Sequence, residues 1–85
     1  MTEVKHEELF AIIRTAAKIP ATVLINESSR FEQDLGVDSL DLVGVLLNVQ
    51  DEFGIEWTDE EIASIKSVSD IITHLDRHGL KLSAA

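Results

Sequence analysis

The run SLDLVGVLLNVQDEF, residues 39–53, contains no proline, follows Asp38 directly and is closed by Gly54. Asp38 or Ser39 is a natural helix start and Gly54 a natural stop, so the spacing predicts a helix over 39–53. At about 100° per residue, Leu42, Val45, Leu46, Val49 and Phe53 share one stripe of the width a buried face needs. Leu40, Val43 and Leu47 fall on nearly the opposite side, together with Gly44 and Asp51. A helix that is apolar on two sides must be covered twice or leave one face open. Either the preceding loop lies over the second face, or that face is a small apolar patch ringed by acids, the anatomy of a partner-docking surface.

The remaining elements are read around this helix. Thr2 can cap a first helix over roughly 3–18, in which Leu9, Ile12, Ile13, Ala16 and Ala17 recur at helical spacing, with Pro20 beyond its end. Residues 20–38 form a long connection with Leu24, Ile25, Phe31 and Leu35 as expected core anchors; an ordered loop of that length is more often functional than not. Thr58 and Glu61 have capping-box spacing for a short third helix over 59–65, carrying Ile62 and Ile65. Ser67 and Asp70 do the same for a fourth over 68–78, with Val68, Ile71, Ile72 and Leu75 inward and Gly79 past its end. Residues 80–85 read as a flexible tail, and no β pattern is evident. The expected fold is all-α: a four-helix bundle of three longer helices and one short one, with a long loop between the first two, in one domain spanning 1–85.

Composition limits what such a bundle can do. There are no cysteines, which excludes a disulfide framework, a cysteine-ligated metal and a cysteine nucleophile; no metal site is expected. The N-terminus MTEVKHEEL lacks an apolar signal region and no stretch approaches membrane-spanning length, so a cytoplasmic protein is expected. The net charge of -9 disfavours binding to nucleic acid or an anionic membrane and favours basic protein partners. That charge is segregated. Between Arg30 and Lys66 lie ten acids and no lysine or arginine, whereas the rest of the chain carries six acids against seven bases. Asp51 and Glu52 sit in the last helical turn, where the macrodipole disfavours them by about 0.3–1 kcal/mol each, so a partner or a divalent cation explains their presence better than the fold does.

Ser39 is placed in the first turn of the central helix, behind the capping arrangement of Asp38 and Asp41. Free backbone N–H groups and the positive end of the helix dipole meet there, a favourable place for a phosphate. A serine at a helix start is by itself most often a cap. A serine hydrolase would need a base near Ser39, but His6, His74 and His78 lie toward the chain ends, on faces expected to be solvated, and no G-x-S-x-G elbow exists. No catalytic residue is therefore expected.

The run DLGVDSLDLVGVLLNVQDEFGIEWTDEEIASIKSVSDIITHL resembles the acyl carrier proteins, whose hallmark is D-[ST]-L after a Leu-Gly pair. The resemblance takes in the first-helix spacing, the D-E-F at the end of the second helix, T-D-E-E at the third and the step from Ile65 to Val68. It implies an acyl-carrier-like bundle that is expected to be a monomer. It also implies 4′-phosphopantetheine esterified to Ser39, transferred from coenzyme A by a holo-ACP-synthase-type phosphopantetheinyl transferase that uses Mg²⁺, with Asp38 and Leu40 helping to present the serine. The arm's thiol would carry acyl groups as thioesters to acyl ligases, ketosynthases or acyltransferases with basic docking surfaces. Docking is then expected at Asp41, Val43, Gly44, Leu47, Asp51, Glu52, Glu56 and Trp57, and an acyl chain could lie among Leu42, Leu46, Phe53, Ile62 and Ile65, although core packing explains those five equally well.

The chain also departs from the commonest pattern. Gly44 and Gln50 stand where acids are frequent, and Trp57 and Thr58 where an aliphatic residue and proline are frequent. Gly44 costs about 1 kcal/mol of helix propensity relative to Ala, which close approach of a partner would explain. Trp57 is either a core plug or an interface anchor, the plug being preferred. The acyl intermediates the resemblance implies are those of fatty acid, polyketide or specialised lipid synthesis, and these differences point to a specialised pathway rather than housekeeping fatty acid synthesis. The competing readings are an aminoacyl or peptidyl carrier and an unmodified acidic helical adaptor.

Overall fold

The computed structural model describes residues 2–83. Its elements run β1 (Thr2–Lys5), α1 (His6–Ala16), α2 (Ser39–Phe53), α3 (Asp59–Ser64), α4 (Val68–Arg77) and β2 (Leu80–Ser83). The four-helix arrangement with a long α1–α2 connection is as expected. The two ends are not. Thr2 does not cap α1, and Leu80–Ser83 is not a loose tail: the two segments pair in parallel, Thr2 opposite Leu80 and Lys5 opposite Ser83. This ladder satisfies backbone groups across almost the whole chain length, so no local periodicity could reveal it. Residues 84 and 85, the rest of the expected tail, lie outside the described residues.

The helix ends follow from single residues. Lys18 takes a left-handed φ of 55°, the Ile19 N–H reaches the Arg14 carbonyl at 2.9 Å, and the Lys18 N–H reaches that of Thr15 at 3.4 Å. This is a Schellman closure, so α1 stops there, ahead of Pro20. Gly54 ends α2 in the same way with φ 67°; its N–H and that of Ile55 both donate to the Gln50 carbonyl, at 2.9 and 3.3 Å. At α3 the Thr58 hydroxyl accepts the Glu61 N–H at 3.1 Å and the Glu61 carboxylate accepts the Thr58 N–H at 3.0 Å, the expected capping box. At α4 the Asp70 carboxylate accepts the N–H groups of Lys66 and Ser67, at 2.8 and 3.1 Å.

The core lies where the stripes converge. Leu9 and Ile13 of α1, Val45, Leu46 and Val49 of α2, Ile65, and Val68, Ile71 and Leu75 of α4 are all buried. The long connection contributes Ile19, Phe31, Leu35 and Val37, with Val23 and Ile25 packed at the edge. Leu24, expected as an anchor, is instead 84% exposed: the Arg14 guanidinium holds the carbonyls of Pro20 and Val23, which fixes the turn with Val23 and Ile25 inward and the residue between them outward. The far end of the connection is pinned to the α3–α4 link, where the Phe31 N–H donates to the Lys66 carbonyl at 3.0 Å and the Val68 N–H to the Ser29 carbonyl at 2.9 Å. Among the described residues no helix is long and apolar enough to cross a membrane.

The histidines do not all lie on solvated faces. His74 is only 9% exposed, with Nε2 3.2 Å from the Ser64 hydroxyl and Nδ1 3.1 Å from the Glu61 carboxylate, though not aligned for a hydrogen bond to it. Its ring lies edge-on to Trp57, which supplies the cover that the helical period alone did not predict. His6 is half-buried beside Glu27 at 2.7 Å, and His78 is exposed.

The Thr58 N–H holds the Glu61 carboxyl below its ordinary value, against an upward push from burial, and His78 adds to the lowering. A carboxyl lowered on folding stabilises the fold fully above its unfolded pKa, and that contribution drains as pH falls through the folded value. Thermal unfolding of wild type and Glu61→Gln should therefore differ most above the ordinary carboxylate range, with wild type the more stable, and converge as pH falls below it. A gap independent of pH would contradict the assignment.

Candidate functional site

The loop reaches α2 through one sharp turn. The Asp34 and Leu35 N–H groups both donate to the Arg30 carbonyl, at 2.9 and 3.1 Å, Gly36 takes φ 66°, and the Val37 N–H returns to the Phe31 carbonyl at 2.7 Å. The left-handed turn at Gly36 is what a glycine permits without strain, and it delivers Asp38 to the helix mouth. Arg30 pairs with Asp34 at 3.3 Å; its backbone N–H first, then its guanidinium, hold the Asp34 carboxyl below the ordinary range.

Asp38 is the N-cap, in extended conformation, and its carboxylate accepts the Asp41 N–H at 2.8 Å. A helix start leaves several N–H groups without an intrahelical partner. The cap takes the one at Asp41 and leaves those of Ser39 and Leu40 for solvent or a ligand. Ser39 is the first helical residue and is exposed, and Leu40 beside it is 83% exposed. Two shallow cavities adjoin at Val37, Asp38 and Ser39, of about 300 and 220 Å³. The smaller has an apolar floor of Phe31, Val37, Leu42 and Ile65, with Arg30 and Lys66 at its rim. Of the five residues expected around an acyl chain, Leu42 and Ile65 line it together with Ser39. Leu46 is fully buried, and Phe53 and Ile62 are half-buried against the core, away from that space.

The second face of α2 is open. Leu40, Val43 and Leu47 are 83%, 40% and 55% exposed, so the long connection does not cover them. Asp41, Asp51, Glu52 and Glu56 are all exposed, but Glu52 turns toward a groove of about 250 Å³ that it shares with Ile12 and Asn48, on the α1 side. Gly44 has a space where a side chain would go: a Cβ there would meet nothing within 4 Å. Trp57 turns inward, its indole N–H donating to the Leu46 carbonyl at 2.8 Å. Sequence reasoning did not pick out Arg30, Val37 and Lys66 as neighbours of Ser39. Val37 sits inside the motif and was readable; Lys66 comes near only through the backbone pairing of the loop, which leaves no periodic signal.

Comparison with known proteins places this geometry. The family model described as "Phosphopantetheine attachment site" matches residues 7–75. The chain is 40% identical over 72 residues to an acyl carrier protein of Clostridium acetobutylicum, covering 85% of this chain and 92% of that one. To an acyl carrier protein of Rickettsia bellii it is 43% identical over 54 residues, 64% of this chain; the match spans 63% of that relative's length. A solved structure from Mycobacterium tuberculosis, provisionally described as an acyl carrier protein, superposes with a TM-score of 0.72 at 28% identity, covering 85% of this chain and 95% of that one. The family match runs from the first helix to the last, through the segment that holds the capped serine, and this chain therefore belongs to the acyl carrier protein family, whose members carry acyl groups as thioesters and are not themselves enzymes.

Proposed function

We propose that Ser39 carries 4′-phosphopantetheine and that the chain delivers acyl groups on this arm to the enzymes of a lipid or related biosynthetic pathway. The observation that carries the reading is an exposed serine at the first position of α2, immediately behind a side-chain cap. The residues fit the group. The Ser39 hydroxyl is open to a transferase, the unpaired N–H groups at the helix mouth and the positive end of its dipole suit a phosphodiester, and Asp38 holds that mouth in shape. When bound, the arm supplies a terminal thiol whose thioesters are more electrophilic at the carbonyl, and more acidic at the α-carbon, than oxygen esters. The chain's own residues then present and release. A flexible tether keeps cargo at high effective concentration near a partner's active site, while weak docking lets the carrier leave.

Docking is assigned to the open face of α2. Leu40, Val43 and Leu47 supply apolar contact, and the exposed Asp41 and Asp51 of the same helix, with Glu56 just beyond its end, supply charge that steers basic surfaces. Gly44 lies among them. Nothing inside the fold calls for a glycine there, so a flat approach surface for the partner's backbone is the reading that accounts for it.

Coexpression with a broad-specificity transferase and intact-mass measurement should show one added phosphopantetheine on wild type and none on Ser39→Ala; a wild type that stays at its encoded mass would defeat the carrier reading. Asp51→Lys should slow loading about threefold to tenfold at low salt, with the gap narrowing as salt rises. Loading at an unchanged rate would remove the acidic-face argument. Gly44→Ala should raise stability by about 1 kcal/mol in denaturant titration while weakening partner binding, and unweakened binding would leave the glycine unexplained.

A further inference from the structure

The sole tryptophan lies in the connection between α2 and α3 and packs against the core. Its backbone N–H donates to the Gln50 side chain at 3.3 Å and its indole N–H to the Leu46 carbonyl, one turn further back along α2. The ring meets His74 edge-on at 5.8 Å and 83°, and His78 at 6.4 Å and 75°. His74 is itself held by Ser64 and lies against Glu61 of α3. The indole is thus tied to the backbone of α2, to the His74 ring of α4 and the His78 ring just past its end, and through His74 to α3. Moving it would break a hydrogen bond in a partly desolvated place, orphan the indole donor and uncover a buried imidazole.

We propose that Trp57 is a specificity-determining residue that keeps acyl chains out of the interhelical core, so that this carrier holds its cargo outside the helices, an arrangement suited to short acyl groups. The inference rests on the carrier reading and deepens it. The cavity beside Ser39 agrees with it: about 220 Å³, floored by Phe31, Val37, Leu42 and Ile65, and bordered by neither Leu46, Phe53, Ile62 nor Trp57. Its rim carries Arg30 and Lys66, so a hydrocarbon chain that runs along it soon meets charge and water. A short acyl group gives up little by remaining solvated, because the hydrophobic driving force scales with apolar area. A long one would gain much from an interior that Trp57 keeps filled.

The test loads the full chain with acetyl, butanoyl, octanoyl and dodecanoyl phosphopantetheine, verifies each by intact mass, and follows thermal unfolding and Trp57 fluorescence. In wild type the Tm should not depend on chain length, and the emission maximum should stay fixed from acetyl to dodecanoyl. In Trp57→Ile the Tm should climb with chain length, because the vacated space admits hydrocarbon that then stabilises the folded state by mass action. A wild-type Tm that climbs with chain length, or a shift in Trp57 emission on long-chain loading, would overturn the plug while leaving the carrier reading intact. A Trp57→Ile chain whose Tm stays flat would overturn the assignment of the exclusion to Trp57. Failure of any arm to attach would remove the carrier reading and this inference with it.

Discussion

Two backbone hydrogen bonds, from Phe31 to Lys66 and from Val68 to Ser29, fix the far end of the long connection against the α3–α4 link. With Phe31 buried beneath them, residues 29–31 act as one rigid support from which the Arg30 turn, Gly36 and Val37 lead to Asp38. Were that segment loose, α2 would have no defined starting point and the cap would act at a wandering helix end. An exposed serine is common. One held at a fixed distance from an apolar cavity floor and from the neighbouring cations is a consequence of this pairing.

The central helix divides its work between two faces. Val45, Leu46 and Val49 are buried and join it to α1 and the common core, while Leu40, Val43 and Leu47 are left in water. Burying a leucine is worth about 1.5–3 kcal/mol, so a fold shaped only for stability would be expected to cover this face. The fold tolerates leaving it open because the opposite stripe is complete.

Much of this was legible from residue types because the signals are local. The Thr58–Glu61 box, the Gly54 stop, the Asp38 cap and the two stripes of α2 each depend on residues within a turn or two of each other. What escaped depends on distant partners. The terminal strands exist only as a pair, Leu24 is turned out because Arg14 clamps the carbonyls of Pro20 and Val23 just before it, and His74 is buried because Trp57 arrives from another connection. At the site, Ser39 and Asp38 could be read in the motif, whereas the cavity floor and the inward turn of Trp57 are set by packing, to which a single-sequence period is blind.

The pairing of residues 2–5 with 80–83 has a temporal side. A growing polypeptide cannot complete this ladder until its last strand has left the ribosome, so α1 must spend synthesis with its leading segment unmated. Contacts of such long sequence separation close late and slowly. Nothing in the ladder is needed to form the helices themselves, whose caps and stripes are local, so its closure adds a long-range contact to elements that are locally specified.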